Sequence, residues 1–297
     1  MGQADPRNAN GYGGLLLDMK FKIVRWLLFA VVLPVKMAIA QPGGEVILDA
    51  SNVVGMGTNS GVETVHRDRN QVTARPNASI VPRLNQQYMR AHSNHVEIAR
   101  KGDIDVLFLG DSITDWWRNP GRGGSTNGVV TMGGKAVFDK YFGSWKVANF
   151  GIAGDTTQGV LWRLQNGEAD GYKPKVIMLM VGTNNTGGHT APEVAMGVAN
   201  VVFELRQRFP DARILLLAIF PRSGPDSEVR TKIRDINQII AALHDGRHTF
   251  FLDIGPKFLN DDGSIPRDIM HDGLHPTSKG YEIWAEAVRD VLARMIR

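Results

Sequence analysis

The sequence predicts a three-layer α/β/α fold on a parallel five-stranded sheet, and two observations carry the prediction. Five short apolar runs, at 104–109, 145–148, 176–181, 214–219 and 250–254, alternate with stretches of helical periodicity. Continuous apolar runs of this length suit strands covered on both faces, and strand–helix alternation is the pattern of parallel sheets. The second observation is that the first and third runs end in glycine followed by polar residues, Gly110-Asp111-Ser112 and Gly182-Thr183-Asn184. Ligands of open α/β sheets bind beyond the carboxyl ends of the strands, so these loops are where chemistry is expected.

Taken from the N-terminus, residues 1–40 read as a leader. Lys20, Lys22 and Arg25 precede the ten-residue apolar run 26–35, and Ala38-Ile39-Ala40 is a small-x-small site before Gln41. This is the pattern of a secretory signal peptide, with cleavage expected after Ala40 and a secreted or periplasmic product. The run contains Pro34 and is too short to span a bilayer comfortably, so no stable membrane insertion is expected after cleavage. Initiation at Met19 in place of Met1 gives a more ordinary signal peptide. Residues 41–82 are polar and turn-rich, with one β-like run at Val46-Ile47-Leu48 and a sequon at Asn77-Ala78-Ser79, and read as an extended arm. The catalytic-sized domain is then 83–297.

That domain opens with a helix at 83–100. Its His92 and His95 are three apart but have no Cys, Asp or Glu at ligand spacing, so they are expected to face solvent. The helix from Ala191 places Val194, Val198, Val201, Val202 and Leu205 on one face, with Thr190 and Glu193 as a capping box and Pro192 in the first turn. The last helix repeats the stripe with Tyr281, Trp284, Ala285, Val288, Leu292 and Met295. These stripes read as core packing.

Composition removes several functions. The chain has 297 residues and no cysteine, which excludes disulfides, zinc–thiolate sites and a cysteine nucleophile together. The formal charge of +4 arises largely in the leader; the remaining chain holds 29 Lys and Arg against 28 Asp and Glu. No basic stripe with interleaved aromatics appears, so no nucleic-acid partner is expected. Gly-x-Gly-x-x-Gly and Walker loops are missing, and no cofactor is expected. Without a Gly-x-Ser-x-Gly elbow, the ordinary α/β-hydrolase fold is disfavoured.

A serine hydroxyl needs an imidazole base within hydrogen-bond reach, and the imidazole needs an orienting acceptor. Asp272-Gly273-Leu274-His275 supplies both partners for Ser112: in a loop, Asp272 can turn back to the ring Nδ1 and leave Nε2 for the serine. Pro276 disfavours helix at His275, which keeps the pair on a loop. The same residues allow plainer roles, with Asp111 or Ser112 as a helix cap. His271 and His275 are four apart, but the proline and the lack of His-Glu-x-x-His argue against metal. Two other strand ends offer oxyanion donors: the Gly154 N–H in the segment 149–157, and the Asn184 side chain after Gly182. Either can equally be only a turn or loop former.

In order, Gly110-Asp111-Ser112, Gly154, Gly182-x-Asn184 and Asp272-x-x-His275 resemble the four blocks of the SGNH (GDSL) hydrolase superfamily. The stretch 149–164, with Gly-Asp-Thr-Thr-Gln and Leu-Trp-Arg-Leu, together with Lys173-Pro174-Lys175 and Gly-Thr-Asn-Asn, is similar to its platelet-activating-factor acetylhydrolase-like branch. The resemblance implies a flavodoxin-like fold, Ser112 as nucleophile, His275 as base and Asp272 as its partner. It implies an oxyanion hole from the Ser112 and Gly154 N–H groups and the Asn184 side chain, and no metal. It assigns no catalytic member to the block between strands three and five.

The implied activity is a serine carboxylic-ester hydrolase acting on short acyl groups. Export points to acetyl esters of extracellular carbohydrate; the alternative is a lipid or phospholipid acyl ester, and a different class is a non-catalytic binding protein on the same scaffold. Asp111, next to the nucleophile, and Trp116 and Trp117, in the loop 116–124 just beyond it, are candidate substrate-binding residues.

Overall fold

The computed structural model describes residues 85–120 and 132–297; the predicted leader, arm and sequon, and the tip of the loop after Trp117, lie outside them. Helix α1, Gln86–Lys101, starts where the Asn85 side chain accepts from the Tyr88 N–H at 2.8 Å and stops at Gly102, whose φ of +75° is left-handed. The strands are β1 Val106–Gly110, β2 Val147–Gly151, β3 Val176–Met180, β4 Arg213–Leu217 and β5 Thr249–Leu252. All pair in parallel, in the order β2-β1-β3-β4-β5. The connections are α2 Ser112–Asp115, α3 Lys135–Phe142, α4 Thr157–Arg163, α5 Ala191–Arg208 and α6 Glu228–Ile240, and α7 Ser278–Ile296 closes the chain.

Alternation along each strand feeds two cores. Leu107 and Leu109 face the layer that holds α1, α4, α5 and α6, where Val160, Val198, Val201 and Ile236 are buried. Val106 and Phe108 face the opposite layer with α3 and α7, where Phe142, Trp284 and Val288 are buried. The two-sided burial explains why the strands are unbroken apolar runs. Trp117 belongs to this second core: it is fully buried, with Phe142, Tyr281 and Trp284 rings 5.7, 4.5 and 5.0 Å away.

β2 is the largest departure from the predicted boundaries. Asn149 ends the apolar run, yet the strand continues through it, because its side chain donates to the Thr114 carbonyl at 2.8 Å and accepts from the Gly151 N–H at 2.9 Å. At Gly110 a Cβ would lie 2.3 Å from the Met180 carbonyl, and at its register partner Gly151 a Cβ would lie 2.2 Å from the Asp115 nitrogen. The two glycines let α2 fold tightly over the ends of β1 and β2.

Candidate active site

Ser112 is the first residue of α2, directly beyond β1. Asp111 caps that helix, its Oδ1 accepting from the Ile113 N–H at 3.0 Å. The sharp turn leaves the Ser112 hydroxyl at the carboxyl edge of the sheet, 2.9 Å from His275 Nε2. His275 lies on the loop before α7, whose N-cap Thr277 accepts from the Gly280 N–H at 3.3 Å. Asp272 Oδ2 is 2.7 Å from His275 Nδ1, while its Oδ1 accepts from the Leu274 and His275 N–H groups at 3.0 and 2.7 Å. One carboxylate therefore closes its own turn and orients the ring. Partial burial pushes the Asp272 pKa up, but these hydrogen bonds outweigh it and leave the acid below its ordinary value. With Nδ1–H donated to Asp272, the Nε2 lone pair is left to accept a hydrogen bond from the Ser112 hydroxyl. Trp116 stacks on the His275 ring, with centroids 4.2 Å apart at 19°.

The predicted oxyanion donors sit on the flanking strand ends. β1 lies between β2 and β3, so the loops carrying Gly154 and Asn184 flank the one carrying Ser112. Gly154 has φ +75°, which favours glycine, and Asn184 Nδ2 donates to the Asp155 carbonyl at 2.7 Å. A carboxamide has two N–H groups. Only one of these is used by Asp155.

Behind these loops lies a buried ionic cluster that sequence reading missed. Arg163, fully buried on α4, donates through Nε to Asp155 Oδ2 at 2.7 Å, through Nη1 to Glu168 Oε2, and through Nη2 to the carbonyls of Gly110 and Phe150 at 3.2 and 2.9 Å. One guanidinium thus ties the end of β1 to the end of β2. The only local signal was its position between inward-facing Val160 and Leu164. Burial raises the Glu168 pKa, but Arg163 and two histidine hydrogen bonds pull it down to about 2.

Three expectations are corrected here. His92 and His95 are buried, not solvent-facing: their Nδ1 atoms lie 2.9 and 3.2 Å from Glu168 Oε1, and α1 turns them inward along with Tyr88 and Ala99. Burial lowers the His95 pKa, which favours the neutral ring. Trp117 is core and exposes nothing to a substrate. Asp111 is 1% exposed, and burial pushes its pKa up to about 7. Of the three candidate contact residues, only Trp116 borders the site.

The loop after β4 also reaches the site, although its sequence carried no recognised block. Ser223 has φ +63°, the sole left-handed non-glycine among the described residues, and its N–H donates to the Gly273 carbonyl at 3.0 Å. Its neighbour Arg222 places Nη1 3.4 Å from the carbonyl and hydroxyl oxygens of Thr183. This loop touches both the base turn and the Asn184 turn. Pro-Arg-Ser-Gly-Pro at 221–225 is the local signal that could have marked it, since proline and glycine punctuate turns.

Residues 108–283 match the GDSL-like Lipase/Acylhydrolase family. Platelet-activating factor acetylhydrolase IB subunit alpha1 from Bos taurus is 34% identical over 211 residues, covering 71% of this chain and 84% of the relative. The alpha2 subunit from Rattus norvegicus is also 34% identical, with 71% and 85% covered. Among solved structures, an acylhydrolase from Bacteroides fragilis superposes with a TM-score of 0.58 at 17% identity, over 72% of this chain and 99% of that one. A platelet-activating-factor-like protein from Streptococcus pneumonia superposes at 0.56 and 21% identity, over 69% and 92%. These two likenesses carry the fold.

Proposed function

Because the chain belongs to the GDSL-like lipase/acylhydrolase family, its activity is acyl-ester hydrolysis, and we propose that Ser112, His275 and Asp272 perform it on short acyl groups, acetyl foremost. The observation that carries the assignment is the unbroken chain of contacts from Ser112 Oγ through the His275 ring to Asp272, at 2.9 and 2.7 Å. As Ser112 Oγ attacks the ester carbonyl, its proton passes to His275 Nε2, and Asp272 stabilises the imidazolium without taking the proton. Charge then builds on the carbonyl oxygen, which the N–H groups of Ser112 and Gly154 and the free amide hydrogen of Asn184 receive. His275 returns the proton to the leaving alcohol, and the acyl-Ser112 ester remains. Water, deprotonated by His275, attacks that ester; the acid leaves and Ser112 recovers its proton.

The acetyl preference is supported by the names of the 34%-identical relatives, which are acetylhydrolases. For the alcohol there are two readings. The leader pattern at 20–40 favours an exported enzyme and an extracellular carbohydrate ester. The relatives' names favour a lipid ester. Hydrolysis of p-nitrophenyl acetate tests the activity: turnover abolished in Ser112→Ala supports the assignment, and turnover retained there removes it. Acetate release from acetylated xylan against an acetylated lysophospholipid then chooses between the alcohols.

A further inference from the structure

We propose that Arg222 and the cleft beside Asn184 form a subsite for an anionic group, a carboxylate or phosphate, carried by the ester. This inference rests on the serine-hydrolase reading of Ser112.

The cleft is about 480 Å3 and is lined by Thr183, Asn184, Val229, Arg222, Lys232 and Glu228 among others. It begins at Asn184, the side chain that reaches across to Asp155 next to Gly154. An ester whose carbonyl oxygen points at Asn184 therefore has a substituent at the mouth of this cleft.

Arg222 is poorly satisfied there. Its two contacts to Thr183 are both at 3.4 Å, at the long end for a hydrogen bond, and its Nε is buried with no acceptor among the described residues. A guanidinium carries five N–H donors in a planar fork that fits carboxylate and phosphate oxygens in pairs. Desolvated donors left unmade are costly, so a group of this kind calls for a partner. The other charges in the cleft do not provide one. Lys232 Nζ donates to the Thr186 carbonyl at 2.7 Å, and Glu228 is exposed in the first turn of α6 with no bond to Arg222.

The backbone that carries Arg222 is itself held in place. Ser223 takes its left-handed conformation with its N–H on Gly273, in the same turn as Asp272 and His275. The Arg222 carbonyl is held by Arg230 Nε at 3.1 Å, and Arg230 Nη2 holds the Ser223 carbonyl at 2.6 Å. The positive charge is felt close to the nucleophile, since Arg222 acts to lower the Asp111 pKa against the effect of burial.

Steady-state kinetics on three esters tests the subsite: neutral 4-nitrophenyl acetate, 4-nitrophenyl hemisuccinate with its anion on the acyl side, and 4-acetoxybenzoate with its anion on the alcohol side. In Arg222→Gln the ratio of kcat/KM for an anionic ester to that for the neutral one is expected to fall roughly 10- to 100-fold, through KM. Arg222→Lys should keep the charge and part of the ratio. The ester whose ratio collapses shows which side of the scissile bond enters the cleft. In the native enzyme the same ratio should decline as salt is raised. An unchanged ratio for both anionic esters, whether all three rates hold or fall together, overturns the subsite. The hydrolase reading fails separately, by turnover of the neutral ester in Ser112→Ala.

Discussion

Asn184 donates its side-chain amide to the backbone carbonyl of Asp155 at 2.7 Å, which binds the loop after β3 to the loop after β2 directly beside Gly154. The contact uses one of two amide hydrogens and fixes the direction of the other. Asn184→Ala therefore removes a donor and releases the Gly154 loop at once. In the proposed mechanism this donor acts on charge present only in the tetrahedral intermediate, so kcat should fall about 10²–10³-fold with KM nearly unchanged. Steady-state kinetics on a short ester checks this; a rise in KM alone would place Asn184 in ground-state binding.

Ser112→Ala and His275→Ala should each lower kcat by several orders of magnitude, with the double variant barely worse than either, because triad members act as a unit. Asp272→Asn should also cost kcat, as the amide favours the wrong imidazole tautomer. In this protein Asp272 Oδ1 also holds two backbone N–H groups, which an Asn oxygen can keep, so the turn should survive. Unchanged circular dichroism beside the lost turnover is the expected pairing. More than about a tenth of wild-type activity in Ser112→Ala would remove it from the nucleophile role.

Arg163→Met strands two buried carboxylates, Asp155 and Glu168, and lets go of the Gly110 and Phe150 carbonyls. A loss of about 3–5 kcal/mol in unfolding free energy is expected, the cost of breaking one side of a buried ion pair. Adding Glu168→Gln to Arg163→Met should recover part of it, since one stranded charge is gone. Urea unfolding of Arg163→Met, Glu168→Gln and the double variant closes the cycle, and strictly additive losses would mean that Arg163 and Glu168 are not coupled.

Asp111→Asn tests the pH dependence of stability. Burial raises the folded pKa of Asp111 to about 7, well above the ordinary carboxylate range near 4, so the folded state holds its proton more tightly than the unfolded state does. Between about pH 4 and 7 the native protein must then lose stability from this group as pH rises, with the full loss present above 7. Asparagine caps a helix as well as aspartate and does not titrate. The melting temperature of Asp111→Asn relative to wild type should therefore climb from pH 4 to 7 and level off above it. A constant gap across that range would show that Asp111 ionises as easily in the fold as outside it.

The five strands and the Asp272–His275 pair were legible in the sequence for one reason: both are local. Two-sided burial forces a strand to be apolar at every position, so 176–181 reads as β3 without knowledge of its neighbours. Asp272 reaches His275 across three residues, and Pro276 marks the stretch as loop. Asn149 shows the limit, because its place inside β2 depends on the Thr114 carbonyl. His92 and His95 show it more sharply, since their partner Glu168 is 76 and 73 residues away. A histidine in an isolated helix carries no mark of which charge will meet it. Ser112, Gly154 and Asn184 are separate strand-end candidates when read from their own residues, and only the family resemblance groups them; the order β2-β1-β3 supplies the physical reason, because it lays their three chain segments side by side. Chemistry held within a few residues is written in the sequence, whereas the Arg163 cluster, the inward turn of Trp117 and the Arg222 cleft arise only when folding removes water from groups that meet across the chain.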